Sequence, residues 1–476
     1  MQTVSCTQLH SRYNPQAEAV RYIDSLNLKD STEYFILIEP GLGYIIPVIQ
    51  EKFKTCKIIV LHIDKFPLPQ ECRLSEIPVL YSTEPAEIQK FLETHIPEIV
   101  IRNSCIIQWR PSLDFYKEAY VKLLSQVVDF LKRTDAENRT TAAFGKRWIR
   151  NFFRNIKNVN KSLTFRQSSI PVIVTGSGPG LEQSLPVIKE AQEKCLIIAA
   201  SSSITALWAG GIKADIVIST DGGNWALRHL YPGIRHQGLS ALAVNLCAAL
   251  PSQCENIPFL IINDGSFWQN IVLHELAIPS VLISQKGTVS ATAAELALQL
   301  SSGNIYLAGM DFSFNDLRTH AKPYVFDNLF FEHACRFYPV YSEIFTRCFL
   351  LRQGGSMNIY AAWFKNQLGN WPKRIFSIGE KSENSGKKIF EDGNSALKHE
   401  ILKQKALKNT ESFLKASAYR TDTGGRSVSA LLSALKNPEY AENLKQELGS
   451  LLFPPEVPGE GSATEQDLET AIKEIA

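Results

Sequence analysis

Residues 171–221 read PVIVTGSGPGLEQSLPVIKEAQEKCLIIAASSSITALWAGGIKADIVISTD. Three apolar runs in it, residues 172–175 (VIVT), 196–200 (LIIAA) and 216–220 (IVIST), have the length of buried strands. The first ends in a glycine-rich turn, and residues 181–194 follow with helical periodicity. Strand, glycine turn, helix and strand form the repeating unit of a parallel α/β sheet. Reading onward adds strand-like runs at residues 241–244, 259–262 and 305–308 and a helical stretch at residues 289–300. The alternation predicts an α/β fold with a doubly wound, Rossmann-like central domain over residues 166–345.

Ligands of an open parallel sheet bind beyond the carboxyl ends of its strands, so the residues that follow each run are the informative ones. They are Gly176, Ser177, Gly178, Pro179 and Gly180; Ser201, Ser202 and Ser203; Asp221; Asn245; Asn263 and Asp264; and Gly309, Met310 and Asp311. Six strand ends thus deliver small or polar groups to one edge, which a purely structural sheet does not require. The 176–180 loop suits phosphate, because glycines admit backbone N–H groups and the helix start adds a favourable dipole; a tight strand-to-helix turn would use the same residues. Asp221 can hold a ribose hydroxyl or a metal ion, or stabilise its own turn. Lys286 and Thr288 precede the 289–300 helix, as an anion-neutralising pair or as a plain cap. Asp311 and His320 share the loop MDFSFNDLRTHAKP, where the histidine is a candidate general base for an acceptor hydroxyl.

Towards the N-terminus, YFILI at residues 34–38 and KIIVLHI at residues 57–63 frame the turn EPGLGY, with Asp64 after the second run. This predicts a smaller Rossmann-like domain over residues 1–165. Gly41 and Gly43 supply two glycines of a dinucleotide fingerprint that needs three, so a scaffold with an empty turn is the better expectation. Residues 115–160 read as helical, with Phe144, Trp148, Phe152, Ile156 and Val159 on one face and Lys146, Arg147, Arg150, Arg154 and Lys157 around it. Such a helix suits an acidic partner or a membrane surface, and more often packs its aromatic face on a neighbouring domain. Residues 346–476 predict a mainly helical region, with a polar stretch at residues 382–394 and a Pro/Gly linker at residues 453–462.

The 476 residues suit two or three domains, and 45% hydrophobic with 21% charged residues is a globular balance. A net charge of +2 gives no argument for nucleic acid. Nine cysteines without a CxxC pair read as reduced thiols in a cytoplasmic protein, neither a disulfide frame nor a zinc site. No apolar run has the length of a membrane helix, and residues 1–13 lack the core of a secretion signal.

Several stretches together resemble a known family: Gly178-Pro179-Gly180-Leu181, residues 197–203, Gly211-Ile212-Lys213-Ala214-Asp215 with Asp221, and Ala308-Gly309-Met310-Asp311-Phe312-Ser313-Phe314. They are similar to the MptE-like domain shared by archaeal 6-hydroxymethylpterin diphosphokinases and motility-associated-factor (Maf) glycosyltransferases. Ser11-Arg12-Tyr13-Asn14-Pro15 with Glu18-Ala19, residues 38–44 and residues 148–158 resemble parts of Maf proteins outside that domain. The likeness implies a cytoplasmic transfer of a nonulosonic acid, pseudaminic or legionaminic, from its CMP-activated donor to Ser or Thr of flagellin. It also implies a nucleotide-sugar site in the central domain, with His320 or Asp311 deprotonating the acceptor. The alternative is pyrophosphoryl transfer from ATP to a pterin, with Mg²⁺ on Asp221 and Asp311; a third reading is a non-catalytic flagellin-binding scaffold. The glycosyl-transfer reading names no metal or other cofactor. The family usually has serine at the position of Gly180, and residues 376–380 depart from its Asn-Ala-Thr-Glu-Gly-Gly stretch.

Overall fold

The computed structural model describes residues 9–63, 77–315, 317–352, 356–367, 371–379, 390–403, 408–418, 423–453 and 463–476. Asp64, most of the 382–394 stretch and residues 454–462 of the expected linker lie outside them. The chain divides into two compact units between Ala143 and Phe144, and residues 463–476 belong to the second.

The first unit is a four-stranded parallel sheet of β1 (Tyr34–Ile38), β2 (Lys57–His62), β3 (Val79–Tyr81) and β4 (Ser104–Gln108), in the order β3-β2-β1-β4. Both faces of β1 and β2 are covered by apolar side chains, which is why the two read as unbroken hydrophobic runs. Gly41 and Gly43 take positive φ after β1. The Leu42 N–H between them donates to His10 Nε2 at 2.9 Å, and a Cβ on Gly41 would stand 2.4 Å from that nitrogen. This turn is therefore filled by an imidazole of the chain itself.

The second unit holds β5 (Lys161–Phe165), β6 (Val172–Thr175), β7 (Leu196–Ala200), β8 (Ile216–Ser219), β9 (Leu242–Asn245), β10 (Phe259–Asn263), β11 (Ser280–Leu282), β12 (Ile305–Ala308), β13 (Ile375–Ile378), β14 (Glu391–Asp392) and β15 (Leu414–Ala418). They form one sheet in the order β14-β13-β12-β6-β7-β8-β9-β10-β5-β15, with β11 beside β10. Every described pairing is parallel except that of β15 with β5. All six sequence-predicted central strands are present.

One face of this sheet, including Ile173, Ile197 and Val217, packs with Phe152, Leu181 and the C-terminal Leu431, Leu444 and Leu468. The other, including Val174, Ile198 and Ile218, packs with the helix Val289–Leu300. The aromatic face at residues 144–159 is thus a packing face of the second unit: Phe152 meets Trp268 edge-on at 4.6 Å. The C-terminal region is helical at Thr423–Leu435, Pro438–Leu452 and Glu465–Ile475, and residues 371–418 add three short strands, β13 to β15. Its Glu447 carboxylate accepts the N–H groups of Phe267 and Trp268 at 2.9 and 3.0 Å, satisfying two of the donors that begin the helix Phe267–Glu275.

The chain steps from β6 to β10 in one direction and then returns to set β12 on the opposite side of β6. That reversal is where a doubly wound sheet opens a crevice beyond its carboxyl edge. The loops that leave it are residues 176–180 and 309–311.

Candidate functional site

The two loops at the reversal are packed onto each other. The Gly176 N–H donates to Ala308 O, and the Gly178 N–H to Gly309 O, each at 2.8 Å. The Gly180 N–H donates to the Asp311 carboxylate at 2.9 Å. A Cβ on Gly176 would lie 2.6 Å from Gly309 O, one on Gly178 2.1 Å from Asp311 Oδ2, and one on Gly180 2.4 Å from Asp311 Oδ1. The three glycines are therefore required by the close approach of the chain itself. The Asp311 carboxylate occupies the place over the loop in which an anion would be held. Burial raises its pKa, opposed by the Gly180 N–H and its own backbone. Any side chain at position 180 would displace this carboxylate, so Gly180 and Asp311 are physically linked.

The neighbouring strand ends are polar and mutually bonded. Ser202 Oγ donates to Ser177 Oγ at 2.9 Å. Thr175 and Ser203 hydroxyls lie 2.8 Å apart below them. Residues 318–326 arch over these ends: the Ala321 N–H donates to Ser177 O at 2.9 Å and Thr205 Oγ1 to Pro323 O at 2.8 Å. Arg318 holds the arch to Glu182 at 2.7 Å. On it, His320 stacks on Tyr324 with centroids 4.0 Å apart and planes within 8°, and its Nδ1 lies 2.9 Å from Thr319 Oγ1.

Asp221 follows β8 in an exposed turn, its Oδ1 accepting the Gly223 N–H at 2.7 Å. The turn is braced from below: Asn151 Nδ2 donates to Gly222 O at 3.2 Å and Cys247 O at 3.0 Å. Asn155 Nδ2 donates to Leu246 O and Ala248 O at 2.8 and 2.7 Å. A Cβ on Gly222 would meet Trp148 at 2.4 Å. Asn245 accepts the Cys247 N–H at 2.8 Å and donates to Asp264 at 3.3 Å. Asn151 and Asn155 are invisible to hydrophobic periodicity, since each looks like a polar interruption of a helix.

The pair expected ahead of the helix Val289–Leu300 is arranged differently from the expectation. The Thr288 side chain makes no capping bond. Lys286 is largely buried and paired with Glu295 at 3.0 Å, 5.7 Å from the Trp363 ring centre. Its charge is thus already matched by a residue of that helix.

One residue the sequence reading passed over joins the edge. His229, on the helix Leu227–Pro232, lies 5.8 Å from the Tyr324 ring and 5.2 Å from Phe326. Its Nδ1 is buried without a hydrogen-bond partner among the described residues. Burial pushes its pKa down to about 4, against the pull of the Asp221 charge. The unfolded chain takes up this proton near pH 6.5, whereas the folded unit resists until about pH 4. The stability contributed by the neutral ring is therefore complete above about pH 6.5 and is lost as pH falls towards 4. His229→Gln is expected to flatten that acid limb, measured as the urea midpoint of the second unit between pH 7 and 5; an unchanged slope would refute it.

Residues 146–317 match the family model described as 6-hydroxymethylpterin diphosphokinase MptE-like. An uncharacterized protein of Treponema pallidum (strain Nichols) is 30% identical over 281 residues, 58% of this chain and 60% of that one. A second from the same organism is 24% identical over 136 residues, 28% of this chain and 64% of that one. The chain thus spans less than two thirds of the length of either relative. Among solved structures, a MAf glycosyltransferase from Magnetospirillum magneticum AMB-1 superposes with a TM-score of 0.54 and 13% identity, over 97% of this chain and 82% of that one. Residues 146–317 are thus similar to an MptE-like domain, and the chain shares the fold of that glycosyltransferase. No helix among the described residues is long and apolar enough to cross a membrane.

Proposed function

We propose that this chain is a cytoplasmic glycosyltransferase that moves a nonulosonic acid of the pseudaminic or legionaminic type from its CMP-activated donor to Ser or Thr of flagellin. The observation that carries the reading is the likeness of fold to a glycosyltransferase over 97% of the chain, joined to the polar edge at the sheet reversal.

In this reading the donor nucleotide lies across residues 176–180, with Ser177, Ser201 and Ser202 offering hydroxyls. Asp221 and Asn245 meet its sugar or base. Its phosphate takes the Gly180 N–H from Asp311, which swings aside, and Lys286, drawn away from Glu295, turns with Thr288 at the next helix start to face the leaving charge. His320 takes the proton of the acceptor hydroxyl, whose oxygen attacks the anomeric carbon. The bond from that carbon to the phosphate oxygen breaks and CMP leaves as the anion. Asp311, once released, is the second candidate for that proton. The arch of residues 318–326 limits water, which would otherwise hydrolyse the donor.

The MptE-like match favours a second reading, pyrophosphoryl transfer from ATP to a pterin, in which Asp221 and a displaced Asp311 would hold Mg²⁺. Intact-mass measurement of flagellin from a strain lacking this protein separates the readings. Loss of one or more sugar masses is the expected result. An unchanged mass overturns the glycosyl-transfer reading, and stabilisation of the chain by ATP with Mg²⁺ and a pterin would then favour the second. If flagellin still binds the chain, and neither ATP with Mg²⁺ and a pterin nor a cytidine nucleotide stabilises it, a non-catalytic scaffold is left.

A further inference from the structure

An aromatic row stands beside Asp221 that neither reading has used. Trp225 follows the Asp221 turn and is 62% exposed, with its ring centre 5.9 Å from Phe326. The Arg228 guanidinium lies 5.4 Å over the same indole. Phe326 in turn touches Tyr324 at 5.4 Å and His229 at 5.2 Å. The row is anchored on two elements at the ligand edge of the sheet, the loop after β8 and the arch of residues 318–326.

Three features of this row point to a ligand. A large indole left in water beside other aromatics offers area for a flat ring. The His229 Nδ1 has no partner among the described residues, and an orphaned buried polar atom is a site for a ligand group. The Asp221 carboxylate accepts one N–H, from Gly223, at 2.7 Å, and has lone pairs left for further donors.

From this juxtaposition we propose that Trp225, Arg228, His229 and Phe326, with Asp221 at the rim, form a subsite for a planar heteroaromatic ring bearing an amino group. The ring stacks on Trp225 in place of, or sandwiched with, the Arg228 guanidinium. Its exocyclic amine donates to Asp221, and His229 Nδ1 pairs with a ring nitrogen or oxygen. Cytosine and a pterin share this chemistry and uracil lacks the amine, so the subsite selects for the amine before it selects between the two rings. The inference rests on the reading that this edge binds a nucleotide or pterin, and it gives Asp221 to the ring amine in place of the Mg²⁺ of the second reading.

The test is a titration of the full chain, followed by tryptophan emission and calorimetry, with CMP, UMP, 6-hydroxymethylpterin and ribose 5-phosphate. CMP or the pterin is expected to quench emission and to bind about tenfold more tightly than UMP or ribose 5-phosphate. Trp225→Ala should abolish the quench and weaken the amino-bearing ligand about tenfold, leaving ribose 5-phosphate unchanged. Asp221→Asn should erase the preference over UMP. Because Trp225 is exposed, its variant retains the core, and an unchanged circular dichroism spectrum checks this. Wild-type affinity for CMP and pterin in Trp225→Ala, or no preference of either over ribose 5-phosphate, overturns the subsite. If the pterin alone shows the Trp225-dependent gain, the subsite stands and the CMP-donor reading falls. If CMP shows it while flagellin mass is unaffected by loss of the protein, the subsite again stands and the transfer reading falls.

Discussion

Gly309→Ala is expected to lower the stability of the second unit by about 3 kcal/mol, the sum of two independent penalties. Gly309 has φ +64°, in the left-handed region, where a side chain costs about 1–2 kcal/mol. An added Cβ would also stand 2.7 Å from Gly176 O and 2.8 Å from the Leu181 Cβ. Those atoms belong to a backbone and to the first residue of a helix, so they cannot rotate away; overpacking of this kind costs about 1–3 kcal/mol. Urea unfolding followed by tryptophan emission measures it, since six of the seven tryptophans lie after residue 143. Gly180→Ala should cost less, because its close neighbour is the end of the Asp311 side chain. A larger loss in Gly180→Ala than in Gly309→Ala would overturn this account of the loop pair. Combining Gly180→Ala with Asp311→Ala should recover most of the smaller loss, because it removes the clashing oxygens.

In the first unit, Glu39→Ala is expected to cost about 3 kcal/mol, the order expected when two buried hydrogen bonds to one carboxylate are lost together. Glu39 and His62 are both fully buried at the carboxyl ends of β1 and β2, with Oε1 2.9 Å from Nδ1. The second carboxylate oxygen accepts the Ile63 N–H, and Tyr81 at the end of β3 stacks on His62 at 5.1 Å within 8°. Removing the carboxylate takes the acceptor from a buried imidazole and from a backbone N–H together. Glu39→Gln keeps acceptor capacity and should retain a good part of the stability. Trp109, buried and the single tryptophan before residue 144, reports on this unit alone. A midpoint that moves equally in both variants would show that the site needs the charge rather than the hydrogen bonds.

Much of the architecture was legible because it is written locally. β1, β6, β7, β12 and the helix Val289–Leu300 begin and end at the residues where the apolar pattern begins and ends. The others differ by a residue or so at an end, and the helix Leu181–Ala191 stops earlier than its pattern. Seven strands are not announced by the pattern: β4, β5, β13 and β15, of four or five residues, and three shorter ones. β3 and β11 are three residues long, and β14 is two residues of acid, Glu391 and Asp392, exposed on the sheet margin. Their strand character comes from the neighbour that supplies their hydrogen bonds, and no periodicity in so short a run announces it. The pattern at residues 115–160 reads as helical throughout; in the structure Lys117, at φ +45°, separates Arg110–Tyr116 from Glu118–Ile156.

The candidate edge shows the same division. Sequence alone determined that strand ends carrying Gly176–Gly180, Ser201, Asp221, Asn245 and Asp311 share one side of a parallel sheet, because direction and alternation follow from covalent order and from burial on both faces. Only the tertiary structure decided what those residues do to one another. The reversal between β6 and β12 puts residues 131 positions apart in contact, so that the Asp311 carboxylate takes the Gly180 N–H. The same folding sets His229 among Tyr324 and Phe326, and gives the Leu42 N–H to His10. Hydrophobic pattern specifies which face of an element is buried, but the partner of a buried polar group is chosen by whichever distant segment the topology brings within about 3 Å.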